Sequence, residues 1–350
     1  KDDKYVYYKA NVKHPGMYEI YRVNVETLQS EALTNLGGMT DYKLSPDEQT
    51  LLLTHSKIQR PPELYVKQIG QDSAAQQVTF GTTDAYNAMP WIEPRIIEIP
   101  SSHTEAPIYA RLYLPKNSDS STPNKAVVFN HGSGYLQNAH YGWSLYFREF
   151  MFNSMLAQQG YIIACVDGRG TGLKGSEFKK VTQRELGKYE LEDQIEAAKQ
   201  LGKRPYIDAT RIGIWGWSFG GHMSTNCLLK GNDVFSMAIA VAPVTSWRFY
   251  DTIYTERYLR TPQENPKGYD DNSPFNYPEL LKGKYLLVHG SADDNVHVQN
   301  AMRMAEALIQ ANKPFDFAIY PDKNHGIYGG NTRLHLYTKM TNFINRTLGQ

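Results

Sequence analysis

The spacing of apolar positions changes once along the chain, near residue 95. Before that point short apolar and aromatic runs at 5–8, 17–23, 42–44, 50–55 and 63–67 are separated by turn residues such as His14-Pro15-Gly16 and Ser45-Pro46-Asp47-Glu48. Brief runs rich in tyrosine, valine and isoleucine between Pro/Gly/Asp turns predict antiparallel strands. After residue 95 a hairpin pair is expected at 95–99 and 108–114, followed by the polar loop 116–123. Continuous apolar runs then fall at 126–129, 162–166, 211–215, 236–241, 285–288 and 315–319. Between them lie stretches with helical spacing at 147–158, 190–201, 299–310 and 333–346. In 190–201, Leu191, Ile195 and Ala198 share one face. Strands that are apolar without alternation, interleaved with helices, predict a mostly parallel sheet covered on both faces.

The expected organisation is therefore a small all-β segment at 1–95 and an α/β domain with a mostly parallel sheet, helices on both faces, at 96–350. Regularly spaced short strands suggest propeller blades. A blade takes roughly 40–45 residues and a ring at least about four blades. The segment holds at most about two, like the last blades of a ring, and cannot close one by itself. A small meander is the alternative.

Composition narrows the function classes. The chain has 350 residues and a formal net charge of +1, so it carries no electrostatic signature of a nucleic-acid partner. Its 25 tyrosines fit β-rich structure or an aromatic-lined pocket. The two cysteines, Cys165 and Cys227, lie in apolar context and read as small buried hydrophobes. No apolar run approaches the ~18 residues of a membrane span. The chain begins Lys1-Asp2-Asp3-Lys4, without a methionine or signal peptide, as expected of a processed chain.

The chemistry centres on Gly216-Trp217-Ser218-Phe219-Gly220-Gly221, a G-x-S-x-G run between an apolar strand and a plausible helix. That context reads as a nucleophile elbow. A serine nucleophile needs a base, and the base an orienting carboxylate, and in an α/β-hydrolase fold, the fold class expected here, the chain order is Ser, Asp or Glu, His. The loop after 285–288 carries Asp293 and Asp294; the turn after 315–319 carries His325. Both loops leave carboxyl ends of strands, where active groups of open parallel sheets gather. Asp293 is taken as the orienter, and Asp294 is expected to hydrogen-bond nearby amides. Among ten histidines the rivals are His289, which closes its strand and caps a loop, and His297 at a helix start.

From about residue 161 onward the chain resembles the catalytic domain of the prolyl oligopeptidase family, in its dipeptidyl peptidase IV branch. The matching runs are Asp167-Gly168-Arg169-Gly170, Leu191-Glu192-Asp193-Gln194-Ile195-Glu196-Ala197-Ala198, the elbow, and Ala240-Val241-Ala242-Pro243-Val244. Tyr254-Thr255-Glu256-Arg257-Tyr258, His289-Gly290, Ala292-Asp293-Asp294-Asn295-Val296 and His325-Gly326 complete them. The resemblance implies Ser218 as nucleophile, Asp293 as orienter and His325 as base, with no metal or cofactor. It also implies that Val244, Trp247, Tyr250, Tyr254 and Val296 line a pocket for a proline ring and that Asn295 binds the substrate carbonyl. Without the resemblance, the i, i+3, i+7 spacing of Trp247, Tyr250 and Tyr254 reads equally as core packing on a helix.

Two departures matter. The family uses a tyrosine hydroxyl beside the amide that follows the nucleophile, here Phe219, to bind the oxyanion. Here that tyrosine position holds His131, in a loop His131-Gly132-Ser133-Gly134-Tyr135 that resembles an esterase oxyanion loop. The amides of Gly132 or Ser133, the His131 side chain and the Tyr135 hydroxyl compete for the role, with Tyr135 or the amides preferred. Second, most of the family's propeller is absent, and with it the acidic pair that takes a substrate's amino terminus. The remainder is expected upstream or as a separate chain, and a homodimer stays open. The expected function is a serine peptidase cleaving peptides after proline or alanine, releasing dipeptides in the full-length protein. Rivals are an esterase or acylaminoacyl-peptidase and a non-catalytic binding protein on the same fold. A periplasmic or secreted location follows from the exported members of the family.

Overall fold

The structure, a computed structural model, describes residues 4–71, 73–116, 118, 122–132, 136–144 and 147–349. The chain divides into two compact units, Lys1–Ile96 with Ala139–Met155, and Ile97–Asn138 with Leu156–Gln350. The segment at 139–155 has no counterpart in the two-part division read from the sequence.

The first unit holds β1 (Tyr5–His14), β2 (Met17–Asn24), β3 (Ser30–Ala32), β4 (Met39–Leu44), β5 (Thr50–Lys57), β6 (Arg60–Gln68), β7 (Gln76–Gln77) and the short helix α1 (Asp84–Asn87). They form a sheet in the order β1-β2-β4-β5-β6-β7, with β3 also on β2. β5 shows the cause: Leu51, Leu53 and His55 are buried while Leu52 and Thr54 are exposed, the period of two that one buried sheet face demands. Leu51 and Leu53 meet Ile20, Leu33 and Ile69 in the unit's core. β3 and β7 are made of exposed or half-buried polar residues and alanine. They pair by backbone alone, which is why no apolar pattern announced them.

The second unit begins with β8 (Arg95–Ile99), β9 (Ile108–Tyr113) and β10 (Asn124–Asn130). α2 (Phe147–Gln158) follows, most of it within the 139–155 segment of the first unit, and then come β11 (Ile162–Asp167), α3 (Ser176–Lys180), α4 (Lys188–Gly202), β12 (Ile207–Trp217) and α5 (Phe219–Lys230). β13 (Met237–Val241), α6 (Thr252–Leu259), α7 (Pro266–Asp271), β14 (Lys284–Gly290), α8 (Gln299–Gln310), β15 (Asp316–Tyr320) and α9 (Thr332–Leu348) complete it. The sheet runs β15-β14-β13-β12-β10-β11-β9-β8, parallel from β15 through β11 and antiparallel between β11 and β9. All of β11 and β13 is buried, as strands with both faces covered must be.

The chain leaves β10 to build β11 on one side, then returns to build β12 on the other. That reversal is the topological switch point where open α/β sheets place their ligands. Register aligns the carboxyl ends there: Asn130 opposite Gly216, Trp217 opposite Val241, Val241 opposite Val288, and Gly290 opposite Tyr320. Among the described residues no helix is long and apolar enough to cross a membrane.

Candidate active site

Ser218 sits between the last residue of β12 and the first of α5, with φ 60° and ψ −118°. A non-glycine residue there is strained by about 1–3 kcal/mol. The turn is imposed from both sides: the Ser218 amide donates to the Val241 carbonyl at 2.8 Å, and the His222 amide donates to the Ser218 carbonyl at 2.9 Å. The flanking glycines are steric necessities. A Cβ on Gly216 would lie 2.3 Å from the Gly220 carbonyl oxygen, and one on Gly220 would lie 2.0 Å from that of Asn130. The elbow therefore presses directly on the end of β10. α5 starts at Phe219, so its unpaired first amides face the serine.

Asp293 follows β14 and is buried, with its carboxylate fully partnered. Oδ1 accepts the amides of Asn295 at 3.0 Å and Val296 at 2.9 Å. Oδ2 faces His325 Nδ1 at 2.8 Å and His289 Nε2 at 3.2 Å. Burial alone would raise the pKa of this carboxyl. The hydrogen bonds from His289 and His325, with the Asn295 amide, overcome that and hold it well below the ordinary carboxylate range. Asp294, expected to bind amides, is exposed, and the amides of the two residues after it go to Asp293.

The two loops are tied to each other. The Ser291 amide donates to the Tyr320 carbonyl at 2.9 Å and the Ala292 amide to the Lys323 carbonyl at 3.1 Å. A Cβ on Gly290 would meet that Lys323 carbonyl at 2.2 Å, so glycine is what lets the histidine turn come close enough. His325 is half-buried, and its backbone carbonyl accepts the Trp217 indole N–H at 2.9 Å. The next carbonyl, of Gly326, accepts Arg333 through Nε at 3.2 Å and Nη2 at 2.8 Å.

Of the residues expected to line a pocket, Trp247, Tyr250 and Tyr254 form a connected aromatic wall, but not on one helix. Trp247 opens a short 3-10 turn, Tyr250 is extended, Asp251 caps a new helix, and only Tyr254 lies in α6. Helical core packing over 247–254 is thereby replaced by a bent wall. Trp247 lies 6.3 Å from both Tyr250 and Tyr254, and the two tyrosines are 5.5 Å apart edge to face. Behind Trp247 stand Phe219 at 5.8 Å and His222 at 4.7 Å. Val244, Trp247 and Val296 are buried in the core, and Tyr250 and Tyr254 pack against it half-buried. The Tyr250 hydroxyl donates to Asn295 Oδ1 at 2.7 Å, linking the wall to the Asp293 loop. Burial pushes the His222 imidazole down to about 3, despite its bond to the Val244 carbonyl at 2.9 Å. It is a neutral support for the wall.

The loop after β10 carries the oxyanion candidates. The His131 ring is buried and its Nε2 lies 2.9 Å from Asp167 Oδ1, while Asp167 also accepts the Asn138 amide. That nitrogen is committed to the loop's own architecture. The Gly132 amide is also engaged, donating to Asn130 Oδ1 at 3.0 Å. Ser133 and Tyr135 lie outside the described residues. The residues that sequence reasoning passed over are Trp217, Arg333, Asn130 and the full role of His289. Trp217 stood inside the elbow motif and His289 beside the Asp293 loop, so both were visible but had no spacing rule to mark them.

A serine strained onto a strand-to-helix turn at the switch point, with an aspartate–histidine pair on the next loops of the same sheet edge, defines an α/β-hydrolase. The chain belongs to the prolyl oligopeptidase family, whose model matches residues 147–350. A second model, the dipeptidyl peptidase IV N-terminal region, matches residues 1–62. The crystal structure of Porphyromonas gingivalis dipeptidyl peptidase 4 is similar with a TM-score of 0.91 and 37% identity, over 99% of this chain and 49% of that one. A protein of Aspergillus oryzae named "Probable dipeptidyl-aminopeptidase B" is 31% identical over 97% of this chain and 38% of its own length. One of the same name from Arthroderma benhamiae is 42% identical over 64% of this chain and 24% of its own length. The chain thus spans less than two fifths of the length of these curated relatives.

Proposed function

We propose that this chain is the catalytic portion of a serine peptidase that cleaves after proline or alanine, and that the full-length protein releases N-terminal dipeptides. The observation that carries the reading is the buried Asp293 carboxylate 2.8 Å from His325 Nδ1, on the same sheet edge as the strained Ser218. A carboxylate on Nδ1 fixes the tautomer that leaves Nε2 free to take a proton. In the acylation step Ser218 Oγ bonds to the scissile carbonyl carbon and its proton passes to His325 Nε2. His325 then gives that proton to the leaving amine as the peptide C–N bond breaks. Water, deprotonated by the same imidazole, attacks the acyl-enzyme and releases the acid and Ser218. The Phe219 amide is one oxyanion donor, worth about 2.7–4 kcal/mol of barrier. Tyr135 or the Ser133 amide is the preferred second donor, since Asn130 holds the Gly132 amide and Asp167 holds one His131 nitrogen.

Val244, Trp247, Tyr250, Tyr254 and Val296 fit a compact ring with no amide hydrogen, each buried CH₂ contributing about 0.8 kcal/mol. In this reading Asn295 offers its amide nitrogen to a substrate carbonyl while Tyr250 holds its oxygen. The peptide is the substrate partner; the remaining propeller and a second copy are the assembly partners proposed with it. Ser218→Ala is expected to abolish turnover of a Gly-Pro amide reporter and labelling by a fluorophosphonate probe. Turnover retained by that variant overturns the assignment. Parallel assays on an acylated amino-acid amide and a short-chain ester separate the esterase and acylaminoacyl-peptidase readings, and an unlabelled wild type points to a binding protein.

A further inference from the structure

Asp293 Oδ2 has two imidazoles on it, and only one belongs to the triad. His289, near the carboxyl end of β14, is fully buried. Its Nε2 lies 2.7 Å from the Val296 carbonyl and 3.2 Å from Asp293 Oδ2. A carbonyl only accepts, so Nε2 must carry the hydrogen, and that hydrogen is shared between the carbonyl and the carboxylate. The other nitrogen, Nδ1, is buried with no partner among the described residues. A proton there would be a buried donor facing nothing, a cost of several kcal/mol with its charge. The ring is therefore held as a neutral Nε2–H tautomer.

We propose that His289 is a positioning residue for the triad, a second neutral imidazole that fixes the plane of the Asp293 carboxylate and shares its charge with His325. The proposal rests on the peptidase reading for its catalytic consequence, not for its structural one. The two oxygens of Asp293 are divided by the geometry. Oδ1 is locked by two loop amides at 2.9 and 3.0 Å. Oδ2 is left between the imidazoles, and rotation of the carboxylate would break both sets of bonds. The same His289 N–H holds the Val296 carbonyl, so the loop 291–296 closes around the carboxylate rather than around solvent. The titratable groups that bear on Asp293 are His289 from β14 and His325 from the turn after β15.

A donor on Oδ2 draws off part of the negative charge that would otherwise stabilise the His325 imidazolium. Its removal leaves Asp293 ionised, because that carboxyl sits far below neutral pH, and so raises the basicity of His325. The acid limb of activity moves to higher pH. The carboxylate also loses one of the bonds that hold its plane, which lowers kcat.

The test compares wild type, His289→Gln and His289→Leu. Gln places an N–H near the position of Nε2; Leu does not. Histidine-labelled protein, without substrate, reports the His289 tautomer and the His325 titration by nitrogen NMR. Gly-Pro-p-nitroanilide reports kcat and KM. In wild type His289 is expected as the Nε2–H tautomer; observation of Nδ1–H overturns the proposal. In His289→Leu the midpoint of the His325 nitrogen signals is expected above that of wild type. Its kcat should fall about ten- to a hundredfold, the loss of one hydrogen bond to a charged group, with KM within about twofold. His289→Gln is expected to recover most of both. An unshifted His325 titration in a folded His289→Leu protein, or equal impairment of Gln and Leu variants, overturns it. If the Leu variant does not fold, the wild-type tautomer and the Gln titration decide. The NMR readouts need no turnover, so an inactive wild type refutes the peptidase reading while leaving this one judged on its own.

Discussion

The Trp217 indole N–H donates to the backbone carbonyl of His325 at 2.9 Å, so the residue before the nucleophile holds the turn that carries the base. Two loops separated by 108 residues are thereby set against each other by one bond. Trp217→Phe keeps the ring and removes the donor. A neutral hydrogen bond of about 0.5–1.5 kcal/mol predicts a roughly two- to tenfold loss of kcat/KM on a Gly-Pro amide. Arg333→Leu, which frees the Gly326 carbonyl, should do the same through the other end of the turn. Unchanged kinetics in both variants would show that the turn holds itself.

The backbone strain at Ser218 predicts a difference between two inactive variants. Alanine keeps the unfavourable φ of 60°; glycine adopts it without a Cβ penalty. Ser218→Gly should therefore be the more stable of the two, by about 1 kcal/mol. Thermal unfolding checks it, and an Ala variant as stable as the Gly variant removes the strain argument.

Gly220→Ala sets a Cβ 2.0 Å from the Asn130 carbonyl oxygen, an atom of a central strand that has no room to yield. Elbow and β10 must separate. Loss of fluorophosphonate labelling is expected together with a lower Tm, whereas Ser224→Ala, on the same helix, should keep its labelling.

Acid should weaken both units. His222 and His55 are buried with pKa values pushed down by burial to about 3 and about 4, against 6.5 when free. As pH falls below about 6.5 the unfolded chain binds protons that the folded one refuses, so stability declines until the folded pKa values are reached. Asp293, depressed rather than raised, adds a further loss at lower pH. Tm should be flat near neutrality and fall from about pH 6.5 toward 4. A His222→Gln variant should show a shallower decline; an identical slope would assign the loss elsewhere.

The α/β order, the elbow, and the loops carrying Asp293 and His325 were legible because each depends on a local pattern: continuous apolar strands, paired glycines, a polar turn after a strand. The bent wall was less so. Nothing in the spacing of Trp247, Tyr250 and Tyr254 announces that Asp251 starts a new helix by accepting the Tyr254 amide at 2.8 Å. The clamps from Trp217, Arg333 and His289 were not legible: Trp217 reaches a residue 108 positions away, while Arg333 and His289 bond groups that only the folded turns bring to them. β3 and β7 escaped because a strand that buries no apolar side chain leaves no period to read.

The interleaving of the two units has a consequence for how the chain must be made. Gly16 closes on the inserted segment, with its carbonyl accepting the Tyr141 amide at 2.8 Å and no room for a Cβ against Ala139. Tyr86 and Trp91 pack with Trp143 and Phe150 from the same segment. A nascent chain that has emerged only as far as β8 therefore lacks the pieces that finish its own first unit. It must keep those surfaces waiting while β9 and β10 of the second unit follow. Maturation on the ribosome is coupled across the units by chain order alone, and a cut near residue 96 yields two fragments, neither of which is whole.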